Sequence, residues 1–186
     1  MKDLGTINIE TDRLLLRRFT LLDVDQMFNN YASNPNVTRY LSWPAHQSKD
    51  ITKMIITSWV GGYANDYFYQ WAIVLKEINE VIGGISVVGY DDNLDSYEIG
   101  YCIGENYWNK GITTEALNKV IEFLFKEVKV NNISAYHDTR NPNSGKVMEK
   151  CGMKYLYTIE KKCKTSLGDD CDAAYYKISK DEYFKI

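Results

Sequence analysis

Histidine is scarce in this chain. Only His46 and His137 are present, beside four cysteines, Cys102, Cys151, Cys163 and Cys171. No two cysteines form a C-x-x-C pair, so no zinc site is expected. Basic excess is also missing: 22 Lys and Arg stand against 25 Asp and Glu, a net charge of -3. That argues against a nucleic-acid binder, which carries a basic field, and it suits a cationic or amine substrate. No segment approaches the ~18 apolar residues of a membrane span. Met1 to Arg18 carries charges throughout and has no apolar run of signal-peptide length. The expectation is a cytoplasmic protein with reduced thiols and no membrane partner. There is no repeat, low-complexity segment or linker. What remains is 186 residues with 45% hydrophobic and 25% charged side chains. That is one globular domain, residues 1–186, long enough to bury a core without disulfides or a structural metal.

The hydrophobic pattern sets the order of elements. Arg13 to Phe19, "RLLLRRF", reads as a strand. Thr20 caps a helix with Asp23 in its first turn and Leu22, Met27, Phe28 and Tyr31 on its apolar side. "SNPN" ends it at Ser33 to Asn36. Ser48 caps a second helix, with Ile51, Met54, Ile55 and Trp59 at helical spacing and a stop at Gly61 and Gly62. Strands at Tyr69 to Leu75, Val81 to Tyr90 and Ser96 to Ile103 are joined by the polar connectors "KEINE" and "DDNLD". A long helix runs from Ile112 to Val128, and Ile133 to Asp138 is a strand. "NPNS" at Asn141 to Ser144 starts a short helix that ends near Cys151 and Gly152. A hairpin closes the chain, Lys154 to Lys164 and Cys171 to Ile178 around "SLGDD". The class is α+β: a mixed, mostly antiparallel sheet of about seven strands with helices on both faces. The crossover through the long helix makes the third meander strand parallel to the one at Ile133.

"YWNKGITTEAL" lies between the third meander strand and the long helix. A helix start leaves backbone N–H groups unpartnered and carries the positive end of the dipole, so it accepts an anion. Gly111 permits unusual dihedrals and close approach. Thr113 and Thr114 add hydroxyls, and Lys110 adds charge. These residues alone fit either a phosphate seat or a plain helix start after a turn glycine.

"GYCIGENYWNKGITTEAL" followed by "NPNSGKVMEKCGM" resembles the GNAT superfamily of acetyl-CoA-dependent N-acetyltransferases. The likeness extends to the branch that acetylates ribosomal-protein N-terminal amines, through "IETDRLLLRRFTLLDVDQMF", "NPNVTRYL" and "VIGGISV", and covers roughly Ile9 to Ile178. The resemblance implies acetyl-CoA as co-substrate, with no metal. It implies that Trp108, Asn109, Lys110, Gly111, Ile112, Thr113 and Thr114 form the loop that clasps the pyrophosphate through backbone amides. Trp108 and Thr113 depart from the usual residues there. Tyr101, Cys102 and Ile103 fall on a strand whose free backbone groups pair with the pantetheine arm. Asn141 stands where the family places an asparagine that bonds that arm; it also reads as a turn residue before Pro142. Ser144 falls beside the thioester sulfur, as a proton donor to the thiolate or as a first-turn serine. Many relatives hold a tyrosine where Met148 stands, and methionine donates no proton, which leaves Ser144 or a water.

Amine transfer needs an unprotonated nucleophile. An α-amine titrates at ~7.7–8.0 and a lysine amine at ~10.4, so the first costs about 1 kcal/mol to deprotonate at neutral pH and the second several. Glu98 is the first candidate base, with a solvent-facing strand carboxylate as the alternative. His137 is the second. Asp91, Asp92 and Asp95 read as an amine attractor or as a polar hairpin connector. The acceptor pocket is expected from the two N-terminal helices, the region between the second and third strands and the last hairpin. The acceptor is expected to be a protein or peptide N-terminal amine; the alternatives are a small amine or a non-catalytic CoA-binding module. A homodimer is compatible with exposed apolar patches.

Overall fold

The computed structural model describes residues 3–185. Two strands open the chain, β1 at Ile9–Glu10 and β2 at Leu14–Arg17. A helical segment follows as a 3-10 turn at Leu21–Asp23, α1 at Val24–Met27 and a π-helical turn at Phe28–Ala32. Next come α2 at Pro35–Thr38 and α3 at Lys49–Gly62. The meander is β3 at Gln70–Leu75, β4 at Glu80–Asp91 and β5 at Ser96–Ile103. Helix α4, Ile112–Phe123, extends as a π-helical turn over Leu124–Val128. Then β6 spans Asn132–Asp138 and α5 Pro142–Lys150. The closing hairpin is β7 at Lys154–Lys164 and β8 at Asp170–Ser179, followed by α6 at Lys180–Tyr183.

The eight strands form one sheet in the order β1-β2-β3-β4-β5-β6-β8-β7. Among the described residues, only the β5–β6 pair is parallel. The count exceeds the expected seven by β1, whose two residues pair with Leu15 and Leu16 and are too short to show a period. The crossover and the closing hairpin match the sequence pattern.

Alternation along the strands feeds two cores. One face packs Leu14, Leu16, Trp71, Ile99 and Ile133 against Leu117, Val120, Ile121 and Leu124 of α4 and Met148 of α5. The other packs Ala72, Val74 and Val81 against Met27, Tyr31 and Ile56 from the N-terminal helices. Each such side chain, fully removed from water, contributes about 1.5–3 kcal/mol.

The N-terminal helices depart from their expected apolar faces. Leu22 is 91% exposed and Met54 64% exposed, while Thr52 and Ile56 are fully buried. The segment after Thr20 changes from 3-10 through α to π geometry, so a simple 3.6 period misplaces Leu22. The thiols also differ from expectation. Cys163 and Cys171 face each other across the β7–β8 hairpin with Cα atoms 5.1 Å apart and are joined as a disulfide. Cys102 and Cys151 are free. Among the described residues, no helix is long and apolar enough to cross a membrane, and no group of His, Cys, Asp and Glu has the arrangement to hold a metal.

Candidate active site

β5 and β6 pair only at Tyr97 with Ile133 and Glu98 with Ser134. Beyond these residues the strands separate. β5 stays bonded to β4 through Ile103, and β6 stays bonded to β8 through Asp138. Their facing edges between Ile99 and Ile103 and between Ala135 and Asp138 therefore lack a strand partner, and an extended polar chain can add there. Tyr101, Cys102 and Ile103 all lie on this open part. Side chains alternate along it: Tyr101 and Ile103 join the core under α4, while Cys102 packs toward the N-terminal helices. Burial pushes the Cys102 thiol up to about 12, so it stays protonated; its backbone pairs with Gly84 of β4, which leaves Tyr101 and Ile103 to face the opening. The Ile103 carbonyl accepts from Trp108 Nε1 at 3.0 Å.

β5 runs into a 3-10 turn at Glu105–Tyr107 and then into the loop before α4. Asn109 and Gly111 both take left-handed backbone, at φ 59° and 73°. Gly111 is the N-cap of α4 and supplies no side-chain cap, so the first-turn amides of Ile112, Thr113 and Thr114 have no capping acceptor. Ile112 is 3% exposed and can contribute only its backbone, whereas Lys110 lies exposed with its ammonium 5.8 Å from the Tyr107 ring centroid. A latch unseen in the sequence fixes the loop. Arg13 of the β1–β2 turn donates to the Lys110 carbonyl at 2.9 Å and pairs with Glu115 at 2.6 Å. Glu115 loses solvation there, but bonds from Thr11 and Arg13 outweigh that and hold its carboxyl below the usual range.

On the far side of the opening, Asn141 begins α5 with its side chain uncapped, and Ser144 lies in the first turn. The Tyr101 hydroxyl reaches across to Ser144, 2.9 Å from its carbonyl oxygen and 3.1 Å from Oγ. Burial raises the Tyr101 phenol well above its ordinary value, so it remains a proton donor. Met148 is 1% exposed and belongs to the core.

Glu98 and His137 occupy opposite faces of the sheet. His137 lies under α5, where its ring sits 5.6 Å from the Tyr176 ring and against Gly145; its Nδ1 is 2.8 Å from the Asp138 carbonyl. Glu98 points the other way, into a cavity of 380 Å³ lined also by Tyr90, Asp91, Asp92, Tyr136, Lys162 and Tyr175. Burial raises the Glu98 carboxyl, Asp91 adds to the rise, and Lys162 opposes it. Asp91 and Asp92 thus face the cavity, while Asp95 bonds the Tyr90 hydroxyl. The last hairpin reaches this cavity through Lys162 and Tyr175, but the N-terminal helices do not line it. Arg39 and Tyr40, just past α2, line a smaller one of 100 Å³ with Arg140 and the β7–β8 turn. Tyr136 and Tyr175 escape sequence reading because a tyrosine in a strand looks the same whichever face it takes.

Comparison with known proteins places the chain in a family. Residues 13–154 match the model of the acetyltransferase (GNAT) domain family. The uncharacterized N-acetyltransferase YnaD of Bacillus subtilis is 30% identical over 177 residues, covering 95% of this chain and 99% of the relative. The uncharacterized N-acetyltransferase p20 of Bacillus licheniformis is 34% identical over 142 residues, 74% of this chain and 77% of its own. A GNAT-family acetyltransferase structure from Bacillus anthracis superposes with a TM-score of 0.80 at 28% identity, covering 94% of this chain and 99% of that one. The chain belongs to the GNAT family and is an N-acetyltransferase.

Proposed function

We propose that the chain transfers the acetyl group of acetyl-CoA to a primary amine by direct attack, with a protein or peptide N-terminal amine as acceptor. The observation that carries this reading is the parting of β5 from β6 directly before the Gly111 loop. The free backbone groups of Tyr101 and Ile103, on either side of Cys102, bond the pantetheine arm. The loop from Trp108 to Thr114 holds the pyrophosphate with backbone amides and Lys110, and Asn141 bonds the arm from the other side. Support for the donor comes from fold neighbours whose structures hold acetyl-CoA with AMP, or coenzyme A. The second of these is a ribosomal L7/L12 α-N-protein acetyltransferase, and a relative from Escherichia coli, 23% identical, is a ribosomal protein uS5-alanine N-acetyltransferase. Those names motivate the N-terminal amine.

The amine approaches from the face that carries Glu98 and gives its proton to that carboxylate, directly or through one water. Glu98 suits this task because burial raises its basicity toward the working pH. The amine nitrogen attacks the thioester carbonyl, and the backbone N–H of Ile103, rather than that of Cys102, stabilises the oxyanion. The carbon–sulfur bond then breaks, and Ser144 protonates the thiolate. His137, on the opposite face and bonded to the Asp138 carbonyl, is left as a packing residue. A second reading, a small free amine as acceptor, is favoured by the acidic recess beside Glu98. Incubation with acetyl-CoA and a panel of N-terminal peptides and small amines, followed by free thiol, tests the proposal. Thiol release with no member of the panel leaves a CoA-binding module instead.

A further inference from the structure

Three polar groups converge on the 380 Å³ cavity without a hydrogen-bond partner among the described residues: the Glu98 carboxylate and the hydroxyls of Tyr136 and Tyr175. Tyr175 is the most informative, because it is only 3% exposed. Its ring is packed away while its hydroxyl stays accessible at the cavity, so a ligand group can take the place of water there. The rings lie side by side, tilted to one another, across three strands. Tyr136 and Tyr175 lie 5.1 Å apart, Tyr175 and Tyr157 5.4 Å apart. A tyrosine face attracts a cation.

The charges around this wall are unbalanced. Glu98, Asp91 and Asp92 are opposed by Lys162 alone, which leaves two net negative charges on the lining. They are also spread out. Glu98 pairs with Gly89, and Asp91 lies two residues further along β4 on the same face. Strand spacing then puts the Glu98 and Asp91 Cα atoms roughly 8 Å apart. A single ammonium at Glu98 leaves the Asp91–Asp92 end uncompensated.

We propose that the acceptor is a dication: its reacting primary amine sits beside Glu98, and a second cationic group is held by Asp91 and Asp92 near the Tyr90, Tyr136 and Tyr175 rings. This rests on the reading of the cavity as the acceptor site of an N-acetyltransferase. The matching chemistry is two ammonium groups joined by an aliphatic spacer of roughly four carbons. A free alkyl diamine has it, and an N-terminal lysine, with about five carbons between its two amines, is close to it.

Calorimetric titration of the CoA-saturated full chain tests the proposal with two matched pairs. One pair is 1,4-diaminobutane and butylamine; the other is lysyl-alanine amide and norleucyl-alanine amide. The expected result is that the dication of at least one pair binds about tenfold tighter than its monocation. In Asp91→Asn/Asp92→Asn, with melting unchanged, that advantage disappears. The pair that shows the advantage identifies the source. Equal affinities within both pairs in the wild-type chain overturn the proposal. A parallel assay of thiol release separates it from the reading beneath it. Selective binding without thiol release removes the transferase role of the cavity and leaves the dication site. Thiol release at equal rates with diamine and monoamine keeps the transferase and removes the dication.

Discussion

The Tyr101 hydroxyl lies 3.1 Å from Ser144 Oγ, bridging β5 and α5 where the sheet opens. A serine that protonates a thiolate alone would be left as an alkoxide, a strong base. Tyr101 can return a proton to it across this contact and is itself reprotonated by water. Ser144→Ala is expected to lower turnover about tenfold to a hundredfold with acetyl-CoA affinity retained. Tyr101→Phe, acting through Ser144, is expected to lower turnover less. Thioesters of increasingly basic thiols separate this from a packing defect: the loss in both variants should grow as the leaving group worsens. A loss that is the same for every thioester assigns the pair to structure.

Glu98→Gln tests the base and carries a stability signature of opposite sign. The folded chain raises the Glu98 carboxyl above its ordinary value, chiefly by burial. A raised acid stabilises the fold while protonated, and this contribution is lost as pH rises through its folded value. The glutamine variant should therefore melt higher than wild type at neutral pH and match it below pH ~4. Its turnover should fall, most severely at the low-pH end of the profile, with acetyl-CoA affinity nearly unchanged. An unaltered pH–rate profile removes Glu98 as the base.

At Gly111 the backbone conformation, rather than crowding, sets the cost of substitution. An added Cβ would meet only Arg13 Nη2, at 3.7 Å, but φ is +73°. Valine resists that region; asparagine tolerates it, as Asn109 does at φ 59°. Gly111→Val is expected to weaken acetyl-CoA binding at least about tenfold, and Gly111→Asn much less. Wild-type affinity in a folded Gly111→Val chain, measured by calorimetry, would rule the loop out.

Arg13 acts on the same loop from a distance along the chain. It holds the Lys110 carbonyl at 2.9 Å and is itself half exposed, so its loss should cost little stability. Arg13→Ala is expected to shift the melting temperature slightly and weaken acetyl-CoA binding about threefold to tenfold, because the loop loses its anchor. Unchanged affinity means that Asn109 and Gly111 hold the loop unaided.

His137 has a structural test. A Cβ on Gly145 would stand 2.6 Å from His137 Nε2 and 3.1 Å from the Tyr176 hydroxyl. Gly145→Ala should destabilise the chain by about 1–3 kcal/mol. Adding His137→Ala should restore part of that loss, a coupling that denaturant titration of the double-mutant cycle measures.

Elements and the cofactor loop were legible in the sequence because they are encoded locally. The stripe from Ile112 to Val128 repeats every three to four residues, and only glycine takes the backbone at Gly111 without cost. Asn141 and Pro142 mark a helix start from their own chemistry. The two-residue β1 and the π-helical turns left no readable period. Which face a strand residue takes is decided by pairing register, and register is a property of the whole sheet. So Glu98 and His137, equal candidates by residue type, end on opposite faces, and Tyr136 and Tyr175 come together from strands almost forty residues apart. The Arg13 latch on Lys110 arises the same way, by packing of the β1–β2 turn against the start of α4. Local conformational preference determined the pieces and the glycine loop; long-range burial of two sheet faces decided which side chains share the site.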